Sequence, residues 1–400
     1  MRRLTRTTEG LVLGVLVTLF AGCFRGTDAA GPTSGGAPTL RAYVSTGSSD
    51  EVAVIDTVLR RPAVDPIRVP GFPSRMVVAP PGTTNEKNRE LLFVLCSNTS
   101  GSVAFVNRRS NNIEATVQAG RNPTDLAITG DGAFLYVVSP EDRVMRRINV
   151  ASRQVDRTIP LPEDFEPVSV AVRNFRKDPV GTDGAYPHAV LVLSRKPVVA
   201  NTVKVARLLA YSVVSGSVQT SGQLLDAAVG RDPQRPSRVA IWEDAAGTSA
   251  FAYVVDAING SYMSVRDLSA WQSGNLPVVN ETVVLLSGVS GGIGGIAIDA
   301  QGWRYLSYPQ GFGIMAIPPG AQSGTFSPLS PAGSFEPTNL AVNGDSSELW
   351  VVSPGKSKVV AWNLLPQGGL TEQAGSVLFS LLSGAAPIPE DVVLAPGLGR

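Results

Sequence analysis

The 400-residue sequence contains only one histidine, and its charged residues are few and balanced. The histidine, His188, follows a Gly/Pro/Asp-rich stretch. We expect it to be a surface residue, and no Ser-His-Asp set, zinc site or histidine-ligated redox centre is evident around it. Charged side chains make up 17% of the residues, with 34 basic against 33 acidic. This balance argues against a nucleic-acid partner.

Cysteine is almost as scarce, with two residues in different surroundings. Cys96 lies in an apolar, strand-like run, where a buried and unreactive thiol is expected. Cys23 follows an apolar N-terminal segment and is expected to be modified. No intramolecular disulfide can then form, so the fold has to depend on its apolar core.

The N-terminal segment has the pattern of an export signal. Three arginines among the first six residues precede an apolar run at residues 11–20, and the small residues Ala21 and Gly22 follow. As a helix this run would span about 15 Å, half of the hydrocarbon core of a bilayer. The pattern therefore predicts a cleaved signal peptide at residues 1–22 rather than a permanent membrane span.

The end of this segment, LFAGC at residues 19–23, resembles the lipobox of bacterial lipoproteins. The resemblance implies that Cys23 is acylated and attaches the chain to a membrane. Phe24 stands where an aspartate usually signals inner-membrane retention, which implies the outer membrane. Residues 23–40 are rich in Gly, Ser, Thr, Pro and Ala and are expected to form a flexible tether. A plain secretory signal remains the alternative.

Abundant glycine and proline, 41 and 30 residues, accompany an internal repeat. Residues 123–140, PTDLAITGDGAFLYVVSP, match residues 337–354, PTNLAVNGDSSELWVVSP, at 11 of 18 positions without a gap. Self-similarity of this kind is typical of repeat architectures. Each copy has the pattern of a strand, a tight turn and a second strand.

The same pattern recurs seven times along the chain. Its leading strands begin near Pro73, Pro123, Pro167, Pro236, Ile293, Pro337 and Pro389. About 350 residues in seven units give about 50 residues each, the size of a four-stranded propeller blade with its loops. The sequence therefore predicts an all-β, seven-bladed β-propeller over residues 41–400. A pair of β-sandwiches is the main alternative.

The order of strands at the two ends predicts how the ring closes. The chain enters at a second strand, near Tyr43, and leaves on a leading strand at residues 392–394. The C-terminal strand is therefore expected to join the first three strands as their inner neighbour. Such closure would leave no long sheet edge exposed.

The segments YVSTGSSDEVAVIDT at residues 43–57 and NPTDLAITGDG at residues 122–132 resemble the YVTN-type repeats of bacterial exported and surface-layer-like proteins. The resemblance is close for residues 43–172 and 337–363 and weak for residues 190–330. It implies a seven-bladed propeller whose repeats are structural and carry no catalytic residues.

One set of equivalent positions is a candidate ligand site. Leading strands of propellers line the central channel, so residues two positions after each leading proline should circle one mouth. These residues are Arg75, Asp125, Ser169, Arg238, Gly295, Asn339 and Asp391. They predict a site for a small anionic or zwitterionic ligand. The alternative is a salt-bridge network that neutralises itself.

Two classes of function are compatible with this sequence. The first is a lipid-anchored binding or scaffold protein of the cell envelope that holds a protein or a small polar ligand and has no cofactor. The second is a propeller enzyme of the lactonase or quinone-dehydrogenase sort. Lactonase-type propellers need a divalent metal held by Glu, Asn and Asp in the channel. Glu166, Asn339 and Asp391 could supply these ligands, but Arg75 and Arg238 at the same level would repel the metal. The sequence therefore favours a binding protein that is not an enzyme.

Overall fold

The computed structural model describes most of the chain from Leu40 to Ala395. The described residues are 40–162, 166–174, 188–195, 206–212, 218–224, 236–258, 260, 262–269, 281–285, 291–311, 313–328, 335–365, 370–378 and 388–395. The predicted signal peptide, Cys23 and the predicted tether lie outside them. No helix in the described part of the chain is long and apolar enough to cross a bilayer.

The described residues form seven small antiparallel sheets, which are the blades of a propeller. Helical structure in the described ranges is limited to a turn at Glu86–Arg89 and a 3-10 turn at Pro354–Lys356. The innermost strand of every blade contacts the innermost strand of the next blade, and the seventh contacts the first. The seven-bladed propeller predicted from the repeats is therefore confirmed.

In blades 2 to 7 the strands follow one another along the chain from the channel outwards, whereas in blade 1 the C-terminal strand is the innermost. The bounds, in that order, are: blade 1, Pro389–Ala395, Arg41–Thr46, Glu51–Asp56 and the broken outer strand Arg61–Pro62 and Ile67–Arg68; blade 2, Pro73–Val78, Leu91–Cys96, Ser102–Asn107, Asn112–Gln118; blade 3, Asp125–Ile128, Phe134–Ser139, Val144–Asn149, Gln154–Pro160; blade 4, Glu166–Asn174, His188–Arg195, Ala206–Ser212, Val218–Leu224; blade 5, Pro236–Glu243, Ala250–Asp256, Tyr262–Asp267, Glu281–Leu285; blade 6, Gly295–Ile298, Arg304–Tyr308, Gly313–Ile317, Thr325–Pro328; blade 7, Leu340–Val342, Glu348–Ser353, Lys358–Leu364, Leu370–Leu378.

The two ends of the propeller meet in blade 1. The C-terminal strand Pro389–Ala395 pairs antiparallel with Arg41–Thr46, and Tyr43 lies opposite Val393. This strand is the inner strand of the blade, as the sequence predicted. A proline begins the inner strands of blades 1, 2 and 5, a position where its missing N–H removes no hydrogen bond from the ladder.

The core consists of layers between neighbouring blades. A hydrophobic cluster fills each of the seven interfaces between blades. Both faces of a blade are therefore covered, which explains why second strands such as Leu91–Cys96 are apolar and buried at every position. Cys96 belongs to one of these clusters, and burial raises the pKa of its thiol to about 12. The predicted buried, unreactive cysteine is confirmed.

The prediction for His188 is wrong. Its side chain is only 2% exposed, and it begins the second strand of blade 4. The ring nitrogen Nε2 lies 2.7 Å from the hydroxyl of Tyr136 in blade 3. Side chains alternate between the faces of a strand, so His188 shares a face with Val190 and Val192, which pack against blade 3. The surrounding loop residues concealed this alternation.

Candidate functional site

A cavity of about 290 Å³ lies at the centre of the ring, between the inner strands. We use the name collar for the seven positions predicted to circle its mouth. Four predicted residues of the collar line this cavity, namely Arg75, Asp125, Arg238 and Asp391. The structure therefore brings charged side chains from blades 1, 2, 3 and 5 to one place.

Two acidic residues of the collar hold neighbouring blades together. The backbone N–H of Met76 in blade 2 donates to Oδ2 of Asp391 in blade 1, at 2.9 Å. The N–H of Val170 in blade 4 donates to Oδ2 of Asp125 in blade 3, at 3.1 Å. In both cases the carboxylate accepts a hydrogen bond from the inner strand of the next blade, where an unpaired buried N–H would be costly.

Ser169 and Asn339 take part in similar contacts and do not line the cavity. Ser169 is 1% exposed, and its hydroxyl donates to Asp125 (2.6 Å) and accepts from the N–H of Val239 in blade 5 (3.2 Å). The side-chain amide of Asn339 donates to the carbonyl of Glu390 in blade 1. These two predicted site residues therefore connect blades, and no ligand role follows from where they lie.

The two arginines of the collar cannot make this contact, because a guanidinium group has no acceptor atom. Next to Arg75, the N–H of Leu126 is instead paired with Oδ1 of Asp125, at 2.9 Å. Nη1 of Arg75 is buried without a hydrogen bond and lies 3.8 Å from Oδ1 of Asp391. Arg238 has no hydrogen-bond or ion-pair partner among the described residues.

This geometry bears on the predicted salt-bridge network. Within the described part of the collar, the pair of Arg75 and Asp391 is the one ion pair, and its distance exceeds that of a hydrogen bond. Oδ2 of Asp391, Oδ2 of Asp125 and the hydroxyl of Ser169 accept hydrogen bonds from neighbouring blades. Oδ1 of Asn339 is buried without a partner, and Oδ1 of Asp391 faces Arg75. Among the described residues that line the cavity, the guanidinium groups of Arg75 and Arg238 have the largest unused hydrogen-bonding capacity.

Burial shifts the acid–base equilibria of the two carboxyl groups. It raises the pKa of Asp391 to about 6, although the positive charge of Arg75 opposes the shift. Burial also raises the pKa of Asp125, against the effects of Arg75 and of the hydrogen bond from Ser169. Both carboxyls therefore lose negative charge at a higher pH than usual, which makes the mouth more positive in mild acid.

Gly295 is the collar residue without a side chain, because the neighbouring blade approaches it closely. A Cβ atom at this position would lie 2.5 Å from the carbonyl oxygen of Thr338 and 3.2 Å from the side-chain oxygen of Asn339. Any larger residue would push blade 7 away. The glycine therefore follows from the packing between blades 6 and 7.

A second ring lies two residues further along each inner strand, on the same strand face as the collar. We use the name waist for this ring. It consists of Val77, Ala127, Ala171, Ala240, Ala297, Ala341 and Val393. Five of the seven line the cavity. Every residue of the waist is small and apolar, so the cavity changes from charged at the collar to apolar about 7 Å below it, at about 3.3 Å per residue.

The three residues considered for a lactonase-type metal site lie in different blades. Glu166 begins the inner strand of blade 4, while Asn339 and Asp391 belong to blades 7 and 1. Oδ2 of Asp391 is already used in a contact between blades, whereas Oδ1 of Asn339, the atom that could ligate a metal, has no hydrogen bond. Across the described residues, no group of three or more His, Cys, Asp or Glu side chains is placed to hold a metal ion.

Known structures share the fold at low sequence identity. The periplasmic gluconolactonase of Pseudomonas aeruginosa is 16% identical, with a TM-score of 0.60 over 89% of this chain and 98% of that one. A Bacteroides uniformis protein, provisionally named a 6-phosphogluconolactonase, is 13% identical (TM-score 0.58; 90% and 100% covered). A Lactobacillus plantarum protein is 13% identical (TM-score 0.59; 90% and 99% covered). Neither the protein-family models nor the curated proteins gave a match. The similarity establishes a propeller fold alone.

Proposed function

We propose that this protein is a binding protein of the cell envelope that holds a small ligand in its central channel through an anionic group. The guanidinium groups of Arg75 and Arg238 would bind that group. Guanidinium pairs well with carboxylate and phosphate because its N–H donors match their geometry and its charge is permanent. The protein is proposed to act without a cofactor and without catalysing a reaction.

The observation that carries this proposal is the difference between the arginines and the other collar residues. Ser169, Asn339, Asp125 and Asp391 already have partners in neighbouring blades, which accounts for them structurally. Arg75 makes one contact between blades, the 3.8 Å ion pair with Asp391, and Arg238 has no partner among the described residues. Cationic groups that line a cavity and have few partners among the described residues are the arrangement expected where an anion binds.

The proposal is tested by a ligand-observed NMR titration with propionate, which has a carboxylate and almost no apolar body. Wild-type protein should bind it, and Arg75→Gln and Arg238→Gln should each weaken binding at least tenfold. Arg68→Gln is the matched control, because the Arg68 side chain is 84% exposed on the outer strand of blade 1. Binding that is equal in all four proteins, or absent from the wild type, would contradict the proposal.

Lactone hydrolysis is the second candidate, favoured by the shared fold with the Pseudomonas aeruginosa gluconolactonase and the provisionally named 6-phosphogluconolactonase. Arg75 and Arg238 would bind an anionic substrate equally well. The test is hydrolysis of gluconolactone and 6-phosphogluconolactone, with divalent metal ions added and with them chelated. If the wild type hydrolyses either lactone and Arg238→Gln does not, the protein is an enzyme and the proposed binding function is wrong.

The cellular location is part of the same proposal. We propose that Cys23 carries the lipid that anchors the protein to the bacterial outer membrane. The support is the LFAGC segment and Phe24 after it. One acyl chain gives only marginal binding, so stable anchoring needs the two or three chains of a lipoprotein. When cells are grown with a fatty-acid analogue, the wild-type protein should become labelled and the Cys23→Ser variant should not. Equal labelling of both would contradict the proposal.

A further inference from the structure

The cavity has two chemically distinct levels, and the proposed function uses only one of them. The collar supplies the charged groups, and the waist beneath it supplies small apolar side chains. Ala240, Ala297 and Ala341 line the cavity and are partly exposed, although they lie at the centre of the molecule. Each of them also packs against the hydrophobic cluster between its own blade and the next, so only its exposed part faces the channel.

The residues between the two levels are also apolar. Met76, Leu126, Val239 and Leu340 line the cavity beside the collar and the waist, and each is less than 10% exposed. Because they belong to the clusters between blades, they offer a ligand little surface, and the exposed apolar lining comes from the waist. Ligand pockets are typically apolar with a few polar groups that fix the orientation of the ligand.

We infer that the ligand is an amphipathic carboxylate, with its carboxylate at the collar and an apolar tail that enters the waist. This inference rests on the proposed function, because the arginines have to hold the carboxylate. The distance from the collar to the waist is about 7 Å, at about 3.3 Å per residue of strand. An extended chain of about six carbons has that length, so hexanoate is the natural probe.

The size of the waist residues determines how much tail fits. Alanine occupies five of the seven positions and valine the other two. Because Val77 and Val393 already occupy this ring, valine is compatible with the strand geometry there. The triple substitution Ala240→Val, Ala297→Val and Ala341→Val should therefore narrow the channel. Because these alanines also pack against clusters between blades, we expect some loss of stability from the added methyl groups.

The experiment is a calorimetric titration with acetate, butanoate, hexanoate and octanoate. For the wild type, affinity should rise by up to about fourfold for each methylene that enters the waist, which corresponds to about 0.8 kcal/mol. The rise should stop beyond hexanoate, where the tail is as long as the apolar part of the channel. Hexylamine and hexanol should bind far more weakly, because they carry no anion.

The triple valine variant should bind acetate as the wild type does, but its affinity should increase much less with the length of the ligand chain. The matched control is Ala115→Val, the same substitution on the outer strand of blade 2, far from the channel. It should keep the full gain. Thermal unfolding of each variant establishes that it is folded before it is titrated.

Three results would overturn the inference, and they differ in what they say about the proposed function. If acetate binds but chain length has no effect, the tail does not enter the channel, whereas the anion site stands. If the folded triple valine variant keeps the full gain, the tail binds elsewhere, and again the anion site stands. If no carboxylate binds the wild type, the proposed function and this inference are both wrong.

Discussion

The collar contains two groups of residues that occupy equivalent places in the repeat but make different contacts. Asp391, Asp125 and Ser169 each accept a hydrogen bond from the inner strand of the next blade. Arg75 and Arg238 cannot, and both residues line the cavity. In a repeat protein, a residue that departs from the repeated structural role needs another explanation. The comparison therefore separates positions retained for folding from positions available for binding.

Removing the closing strand should have the largest effect, because it affects the contacts that hold the blades together. Deleting residues 387–400 removes Asp391 and the whole inner strand of blade 1, which pairs with Arg41–Thr46. The remaining strands of the blade would have an open edge, and the ring would lose a blade-to-blade contact. We expect the cooperative thermal transition to disappear. A truncated protein that melts like the full-length chain would show that ring closure contributes little.

The next largest effect concerns pH. The folded-state pKa of Asp391, about 6, lies above its ordinary value of 3.8, so folding favours the protonated carboxyl. Its contribution to stability is complete below about pH 4 and is lost as the pH rises through 6. At about 1.36 kcal/mol per pKa unit, the loss reaches roughly 3 kcal/mol by pH 7.

The variant Asp391→Asn measures this contribution, because an amide does not ionise and still offers an oxygen to the N–H of Met76. We expect Asp391→Asn to be more stable than the wild type at pH 7, with the difference shrinking towards pH 4. Urea unfolding at several pH values gives the free energies. Parallel pH profiles for the two proteins would mean that the collar carboxyl is not shifted by burial.

The smallest expected effect is the difference in stability between substitutions at a neutral and at a cationic residue of the collar, Ser169 and Arg238. Ser169→Ala removes the hydrogen bond to Asp125 and leaves the N–H of Val239 without an acceptor, so it should cost about 1 kcal/mol of unfolding free energy. Arg238→Gln should stay within about 0.5 kcal/mol of the wild type, since no contact between described residues is lost. Chemical denaturation measures both. A larger loss for Arg238→Gln would assign that arginine a structural role.

Most of the fold followed from the sequence, because the repeat and the strand periodicity record the same structure. All seven inner strands lie where the leading segments predicted them, and the strand at Pro389–Ala395 closes the ring. The surface position predicted for His188 was wrong, because the residues before it have the composition of a loop. The alternation of side chains that places His188 on a buried strand face extends over only a few residues. Local composition cannot show that a neighbouring blade covers a side chain.

The candidate site was predicted only in part. Equivalent repeat positions identified the collar, but Ser169 and Asn339 turn towards neighbouring blades, which depends on packing that one strand does not reveal. The waist was missed, although the same alignment contains its signal: small apolar residues stand two positions after each collar residue. Alanine in a strand is unremarkable by itself. It becomes informative only when the seven positions are known to form one ring, of which five residues line the cavity.

The central claim is that Arg75 and Arg238 form the binding part of the collar while the other polar residues hold the blades. A crystal structure of the protein grown with hexanoate tests it most directly. The account predicts the carboxylate hydrogen-bonded to these guanidinium groups, the tail against Ala240 and Ala341, and the bond from Met76 to Asp391 unchanged. Hexanoate bound outside the channel, or bound in it with both arginines uninvolved, would contradict the claim.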